Sequence, residues 1–229
     1  MVKQLSKYLY GKELEKMRII EKSIPVYTFE ELSDSAKERA KNNFLCSDWR
    51  GHDFQDLCEC MIKENFPNSD LNFEFSLNSC QGDGFNIYGN LAYSDIMGKI
   101  KYNFTEKEMK TLNFCFLTFY GWTPYGNIPL SEYFFTLTEN NYYCYYCNCD
   151  ENDFYDNVID DMEYNGMRDI PERLLWKFGK IASDYIHNYC SKLADYGYDY
   201  LYNISDEEYG EISEYNCWEY TEDGNLYLF

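Results

Sequence analysis

The chain has 229 residues, 45% of them hydrophobic and 20% aromatic, which makes it long enough for a sizeable core and globular rather than disordered in composition. Its 20 basic and 40 acidic residues leave a net charge of −20, which repels nucleic acid and anionic membrane and attracts basic partners. There is no basic stripe for direct nucleic-acid binding and no run of about 18 apolar residues to span a membrane. Met1-Val2-Lys3-Gln4-Leu5 opens onto mixed charge rather than the apolar stretch of a signal peptide, so the expectation is a cytoplasmic protein whose ten cysteines are thiols.

In chain order, Leu5, Leu9, Leu14, Met17 and Ile20 suit a short amphipathic helix within Lys3–Lys22. Ile24-Pro25-Val26-Tyr27 reads as extended. Ser33 caps a predicted helix over 34–44, with Thr28 and Glu31 as an alternative capping box one turn earlier. A second helix is expected over 52–65, with Phe54, Leu57, Cys58, Met61 and Ile62 as its apolar stripe and Pro67 as its stop. Leu71, Phe73, Phe75 and Leu77 then alternate with polar residues, as do Phe85, Ile87, Gly89 and Leu91. The two runs predict a hairpin around Cys80-Gln81-Gly82-Asp83-Gly84. Thr105-Glu106-Lys107-Glu108 starts a further helix. Strands are expected over 114–120 and 133–149, the latter broken at Glu139-Asn140-Asn141, separated by a loop at Pro124, Gly126 and Pro129. Residues 150–168 read as an acidic connector. Pro171 sits in the first turn of the longest helix, whose expected apolar face is Leu174, Phe178, Ile181, Tyr185, Tyr189 and Leu193. A short helix after Ser205 and a hairpin over 217–229 complete the chain. The predicted class is α+β: a single compact domain over 1–229, mainly helical to residue 66 and mainly strands over 67–149, with helices packed on a largely antiparallel sheet.

Charge is unevenly placed. Residues 1–63 carry 11 basic and 11 acidic side chains, whereas residues 139–229 carry 5 and 21. Two segments hold most of the excess. Asp150, Glu151, Asp153, Asp156, Asp160, Asp161 and Glu163 lie in the first. Asp195, Asp199, Asp206, Glu207, Glu208, Glu211 and Glu214 lie in the second, which has no base between 195 and 223. Tyrosines interleave with both, including Tyr155, Tyr196, Tyr198, Tyr200, Tyr202, Tyr209 and Tyr215, and tyrosine supplies rigid contact area at low entropic cost.

The run from Tyr27-Thr28-Phe29-Glu30-Glu31-Leu32-Ser33 through Ala40, the Gln81-Gly82-Asp83-Gly84 turn and the close from Ser205-Asp206-Glu207-Glu208 to Tyr220-Thr221-Glu222-Asp223-Gly224 stand in this order along the chain. Together they resemble a family of uncharacterised bacteriophage and prophage proteins. That resemblance implies a mobile-element origin and supplies no activity.

Several motifs carry other chemistry. The Gln-Gly-Asp-Gly segment reads as a turn, with an anion or metal loop as the alternative. No helix follows it to bind phosphate. Cys144, Cys147 and Cys149 are the nearest approach to a zinc motif, but on a strand Cys144 faces away from the other two. Asp150, Asn152, Asp153 and Asp156 fail the calcium-loop pattern, because Tyr155 and Asp161 stand where Gly and Glu are required. No nucleophile–base pair or phosphate-binding glycine loop is present, so neither an enzyme nor a cofactor is expected. The sequence therefore points to an inhibitor that binds a basic host defence protein, a CRISPR effector or restriction enzyme. Its acidic, tyrosine-rich surface would take the place of nucleic acid, with Asp150, Glu151, Asp153, Asp156, Asp160, Asp161, Glu163, Asp199, Tyr202, Asp206, Glu207, Glu208, Glu211 and Glu214 as contacts. A cysteine-ligated zinc module is the alternative.

Overall fold

The computed structural model describes residues 23–78, 83–117, 120–123, 126–129, 133–137, 151–165 and 170–227. The expected helix within Lys3–Lys22, the Gln81-Gly82 half of the turn and the strand residues 138–149 lie outside them. The α+β class holds. Within it the chain groups into two compact units: Met1–Phe44 with Ser205–Phe229, and Leu45–Ile204.

The larger unit, Leu45–Ile204, is built on a three-stranded antiparallel sheet. Its strands are β1 (Asp70–Ser76), β2 (Gly84–Ala92) and β5 (Phe134–Leu137), in the order β1-β2-β5. Phe73 pairs with Ile87 and Phe75 with Phe85, so the alternation read from the sequence sets the register. The last pair is Ser76 with Gly84, so Gly84, expected in the turn, belongs to β2. The rings of Phe73, Phe75 and Phe85 lie nearly parallel on one face. Phe54 of α2 (Asp48–Asn65) meets Phe75 edge-on at 5.1 Å. Phe54, Cys58 and Ile62 are buried, as the helical spacing requires. This helix begins a turn before the expected His52 and stops at Asn65, with Phe66 and Pro67 following.

β2 runs directly into α3 (Tyr93–Ile100), and α4 (Glu106–Phe116) follows. The Thr105 hydroxyl accepts from the Glu108 N–H, while the Glu108 carboxylate accepts from the Thr105 N–H at 2.8 Å, the reciprocal capping box that the sequence announces. The expected strand over 114–120 is wrong for most of its length. Residues 114–116 are the last turn of α4, and among the described residues of that run Tyr120 alone belongs to a strand, β3 (Tyr120–Thr123). Leu112, Cys115 and Phe116 fall three and four residues apart on the buried side of that helix, and this packing overrides the strand preference of the Phe-rich run. Gly126–Pro129, expected as loop, forms β4 and pairs with β3.

The acidic connector is likewise a helix, α5 (Glu151–Asn165). Phe154 and Val158, one turn apart, are fully buried. Glu151 and Asp153 stand in its first turn, where the positive end of the helix dipole favours carboxylates. Asn157 of α5 accepts from the Thr136 N–H and donates to its carbonyl, so α5 satisfies backbone groups of the short strand β5.

The longest helix, α6 (Glu172–Tyr202), has Pro171 as its N-cap, one residue outside the expected position. Its buried line is Leu174, Phe178, Ala182, Ile186, Cys190 and Leu193, with Tyr185 and Tyr189 only half-buried beside it. The face is thus rotated by about one residue from the expected one, and small residues occupy its centre. Gly197 lets α6 approach Leu77 and Phe54 so closely that a Cβ there would lie 2.3 Å from the Leu77 Cδ1.

The other unit pairs residues 27–44 with 205–227. A 3-10 turn (Phe29–Glu31) precedes α1 (Asp34–Leu45), and α7 (Asp206–Tyr215) follows Ser205. Both expected caps are used. The Glu31 carboxylate accepts from the Thr28 N–H, and the Ser33 hydroxyl accepts from the Ala36 N–H. Tyr27 and Tyr220 form an antiparallel bridge, and Tyr220 also bridges Leu226 around the Thr221–Gly224 turn. Phe29, Phe44 and Tyr209 pack edge to face, with ring centroids 4.7 and 5.0 Å apart. The Tyr220 hydroxyl donates within a buried group formed with Tyr209 and Ser213.

Burial has a pH consequence. Desolvation pushes the Cys58 thiol up to about 12 from an ordinary value near 9.0 and raises Tyr189 and Tyr209 as well. The unfolded chain therefore ionises these groups first, so their contribution is complete below pH 9 and is lost as pH rises towards the folded values. Urea titrations are expected to show stability level to about pH 9 and then falling, by about 1.4 kcal/mol per pH unit from Cys58 alone. A Cys58→Val variant should lose that part of the alkaline slope, and an unchanged slope would exclude Cys58 as its source.

Candidate functional site

The sequence places its contact residues on two acidic segments, and the structure separates them. Glu151 and Asp156 are exposed on α5, Asp153 is half-buried there, and Asp160, Asp161 and Glu163 belong to the same helix. Asp150, Cys144, Cys147 and Cys149 lie outside the described residues. A Cβ added to Gly179 of α6 would lie 2.9 Å from the Glu151 carbonyl, so the start of α5 sits beside the early turns of α6. Asp195 and Asp199 stand about 24 Å or more further along the α6 axis. Within this unit the acids are therefore two patches rather than one face. The remaining carboxylates, from Asp206 onward, belong to the other unit.

Among the described residues most of the tyrosines are buried or half-buried. Tyr209 and Tyr220 are buried, and Tyr155, Tyr185, Tyr189, Tyr198 and Tyr200 are half-buried. The hydroxyls of Tyr185, Tyr189, Tyr198, Tyr209 and Tyr220 find partners, as buried hydroxyls must. Tyr189 donates to the Met61 carbonyl at 3.1 Å, and Tyr198 donates to Asp83 at 2.6 Å. Tyr202 is about half exposed, and its hydroxyl donates to the Leu77 carbonyl. Tyr196 and Tyr215 are exposed. Asp83, the acid of the Gln-Gly-Asp-Gly segment, accepts from both the Ser76 hydroxyl and Tyr198, so its carboxylate ties the loop to β1 and α6. Asp95, which the sequence reading passed over, is buried and accepts from the Asn68 N–H and side chain and from the Ser69 hydroxyl. These contacts fix the turn before β1. Among the described residues no group of three or more His, Cys, Asp or Glu side chains is placed to hold a metal ion, and no helix is long and apolar enough to cross a membrane.

Among the described residues α7 carries a concentrated acidic surface. Asp206, Glu207 and Glu208 stand in its first turn, and the Ser205 hydroxyl accepts from the Glu208 N–H at 3.1 Å. These three carboxylates complement the helix dipole. Asp206 is also bound to Lys41 at 2.6 Å, a contact that raises the Lys41 pKa, with Glu38 adding to the effect. Glu207, Glu211 and Glu214 follow at helical spacing on the outer side and are exposed. Among the described residues no ion pair reaches Glu207, Glu208, Glu211 or Glu214.

Beside this stripe is a cleft of about 360 Å³. Gly210, Ser213, Glu214 and Cys217 form one wall, and Phe29, Glu30, Trp218 and Glu219 complete it. The wall follows from the way α7 ends. The Trp218 N–H donates to the Ser213 carbonyl and the Cys217 N–H to the Glu214 carbonyl, the paired bonds of a Schellman cap. Cys217 takes the left-handed position with φ 52°, and the cap turns Trp218 back against Phe44 at 5.8 Å. Gly210 stands in the helix interior, where glycine costs about 1 kcal/mol relative to alanine. It leaves the wall open, because a Cβ there would make only ordinary contact with Phe29 at 3.6 Å. Glu30, Glu219 and Trp218 carry no local sequence signal, since their two segments meet through distant contacts, the pairing of Tyr27 with Tyr220 and the packing of Phe29 on Tyr209.

No family model, curated protein or solved structure matches this chain.

Proposed function

We propose that this protein is a mobile-element inhibitor that binds a basic, nucleic-acid-handling host protein, a CRISPR effector or restriction enzyme, and occupies the channel that nucleic acid would use. The observation that carries the reading is the stripe Glu207, Glu211 and Glu214 with Glu208 on α7, exposed and without cationic partners among the described residues. Rows of uncompensated carboxylates present a field of the same sign as phosphates, and a basic channel is built to meet such a field. The likeness of three sequence islands to phage and prophage proteins supports the mobile-element origin. Asp199, Tyr202 and the α5 carboxylates Glu151, Asp153 and Asp156 stand apart from this stripe along the chain, so the proposal rests on α7.

The test is competition. A panel of purified CRISPR effectors and restriction endonucleases is loaded with fluorescent DNA, and the chain is titrated in. One of them is expected to release its DNA, with an apparent affinity that falls at least about tenfold between roughly 50 and 300 mM salt. Reversing Glu207→Lys, Glu208→Lys and Glu211→Lys together is expected to cost about tenfold or more at low salt. An affinity indifferent to salt, or a triple variant that competes as well as the parent, would remove the α7 face from the mechanism.

A further inference from the structure

We infer that the cleft beside α7 receives an arginine side chain of the bound partner; this rests on the partner-binding reading above and names its anchor. The cleft joins two kinds of surface. Half-buried Trp218 supplies aromatic area beside the buried Phe29, and Glu30, Glu214 and Glu219 supply three exposed carboxylates. None of its lining residues is a lysine or arginine. An anionic or purely apolar group would leave those carboxylates desolvated and unpaired. A metal ion is disfavoured by its acids, which are not grouped as ligands. A guanidinium satisfies both surfaces: its plane stacks on an aromatic ring, its alkyl stem covers apolar area, and its fork of N–H donors reaches more than one carboxylate. The cleft volume lies within the range of sites that enclose small ligands or single side chains. Glu214 belongs both to the cleft and to the exposed stripe, so a seated arginine is continuous with the face that would meet the rest of the partner. Gly210 is the opening: any larger side chain at that position projects into the space the arginine needs.

The probe is N-acetyl-Gly-Arg-Gly-amide, compared with the tripeptide carrying citrulline, which keeps the shape and removes the charge. Binding to the full-length chain is read from the indole N–H resonance of Trp218, identified by its loss in Trp218→Phe. The expected result is a saturable shift with the arginine peptide and none with citrulline. Glu214→Gln with Glu219→Gln should weaken binding by about fivefold or more. Gly210→Leu, which replaces a helix-interior glycine with a good helix former and so retains the fold, should abolish the shift. No saturable shift, an equal response to citrulline, or binding that survives Gly210→Leu overturns the inference. The DNA-competition assay separates this result from the broader reading. If the parent and Gly210→Leu release DNA equally well, the acidic face works without the cleft and the arginine anchor alone falls. If the parent releases DNA from no effector, the inhibitor reading falls, and the tripeptide shift still decides whether the cleft takes a guanidinium.

Discussion

Replacing Phe178 with alanine is expected to destabilise the Leu45–Ile204 unit by about 3–5 kcal/mol, the largest single effect among the substitutions considered. Phe178 is fully buried and stands at the centre of an aromatic group. Tyr93, Phe104, Phe116, Phe135 and Phe154 surround it, with ring centroids between 5.4 and 6.3 Å away. These rings come from α3, α4, α5, β5 and the turn between α3 and α4, so Phe178 of α6 ties all of those elements to one centre. Truncation leaves a cavity lined by rigid rings, which collapse poorly into it. The measurement is a urea midpoint at pH 7 together with near-ultraviolet circular dichroism. A loss under about 1 kcal/mol would show that the surrounding rings close the space and that the group is looser than its geometry implies.

The second large effect is expected at Gly224. Its φ is +83°, and a Cβ there would lie 2.1 Å from the Ala36 carbonyl oxygen and 2.8 Å from the carbonyl carbon. Gly224→Ala therefore meets two costs. The left-handed conformation costs an L-residue about 1–2 kcal/mol, and the overlap with the backbone of α1 costs about 1–3 more. Because the obstacle is backbone, no rotamer change relieves it. The turn also carries an Asp223 whose carboxyl is held below its ordinary range by the Thr221 hydroxyl and by Arg39, so its distortion should release those contacts too. Hydrogen exchange should show loss of protection in α1 and around Tyr220, and protection equal to the parent would contradict the expectation.

What could be read in the sequence was what neighbours in the chain decide. The Thr105–Glu108 box, the Ser33 and Ser205 caps and the Phe54, Cys58, Ile62 stripe depend on spacings of three or four residues. The hairpin register of Phe73, Phe75, Phe85 and Ile87 follows from alternation alone. The failures are places where a distant partner decides. Phe114–Phe116 has strand-like composition, and burial of Leu112, Cys115 and Phe116 keeps it helical. α5 looked like a charged connector because its acids outnumber Phe154 and Val158, although two buried residues a turn apart suffice to seat a short helix. The tyrosines were assigned to a surface because their number exceeded what hydroxyl satisfaction seemed to allow. Main-chain carbonyls and carboxamides supplied the missing partners, as Met61 does for Tyr189 and Asn65 for Tyr185. The α7 acids were legible from composition. The cleft was not, since Glu30 and Glu219 lie far apart in sequence.

The division of the chain also fixes an order of events during synthesis. One unit is continuous from Leu45 to Ile204, whereas the other needs residues from both sides of that stretch. Tyr27 has no bridge partner, and Lys41 no Asp206, until the ribosome has passed them. The continuous unit is complete in the emerging chain before the second half of its companion has been translated, and domains generally fold as units as they emerge. Folding of the intervening stretch shortens the effective loop that must close to bring Tyr27 to Tyr220, and so lowers the entropic cost of that closure. The acidic helix and its cleft are therefore the last parts of the molecule to form, and the exposed carboxylate stripe of α7 is absent from any nascent chain that stops short of Ser205.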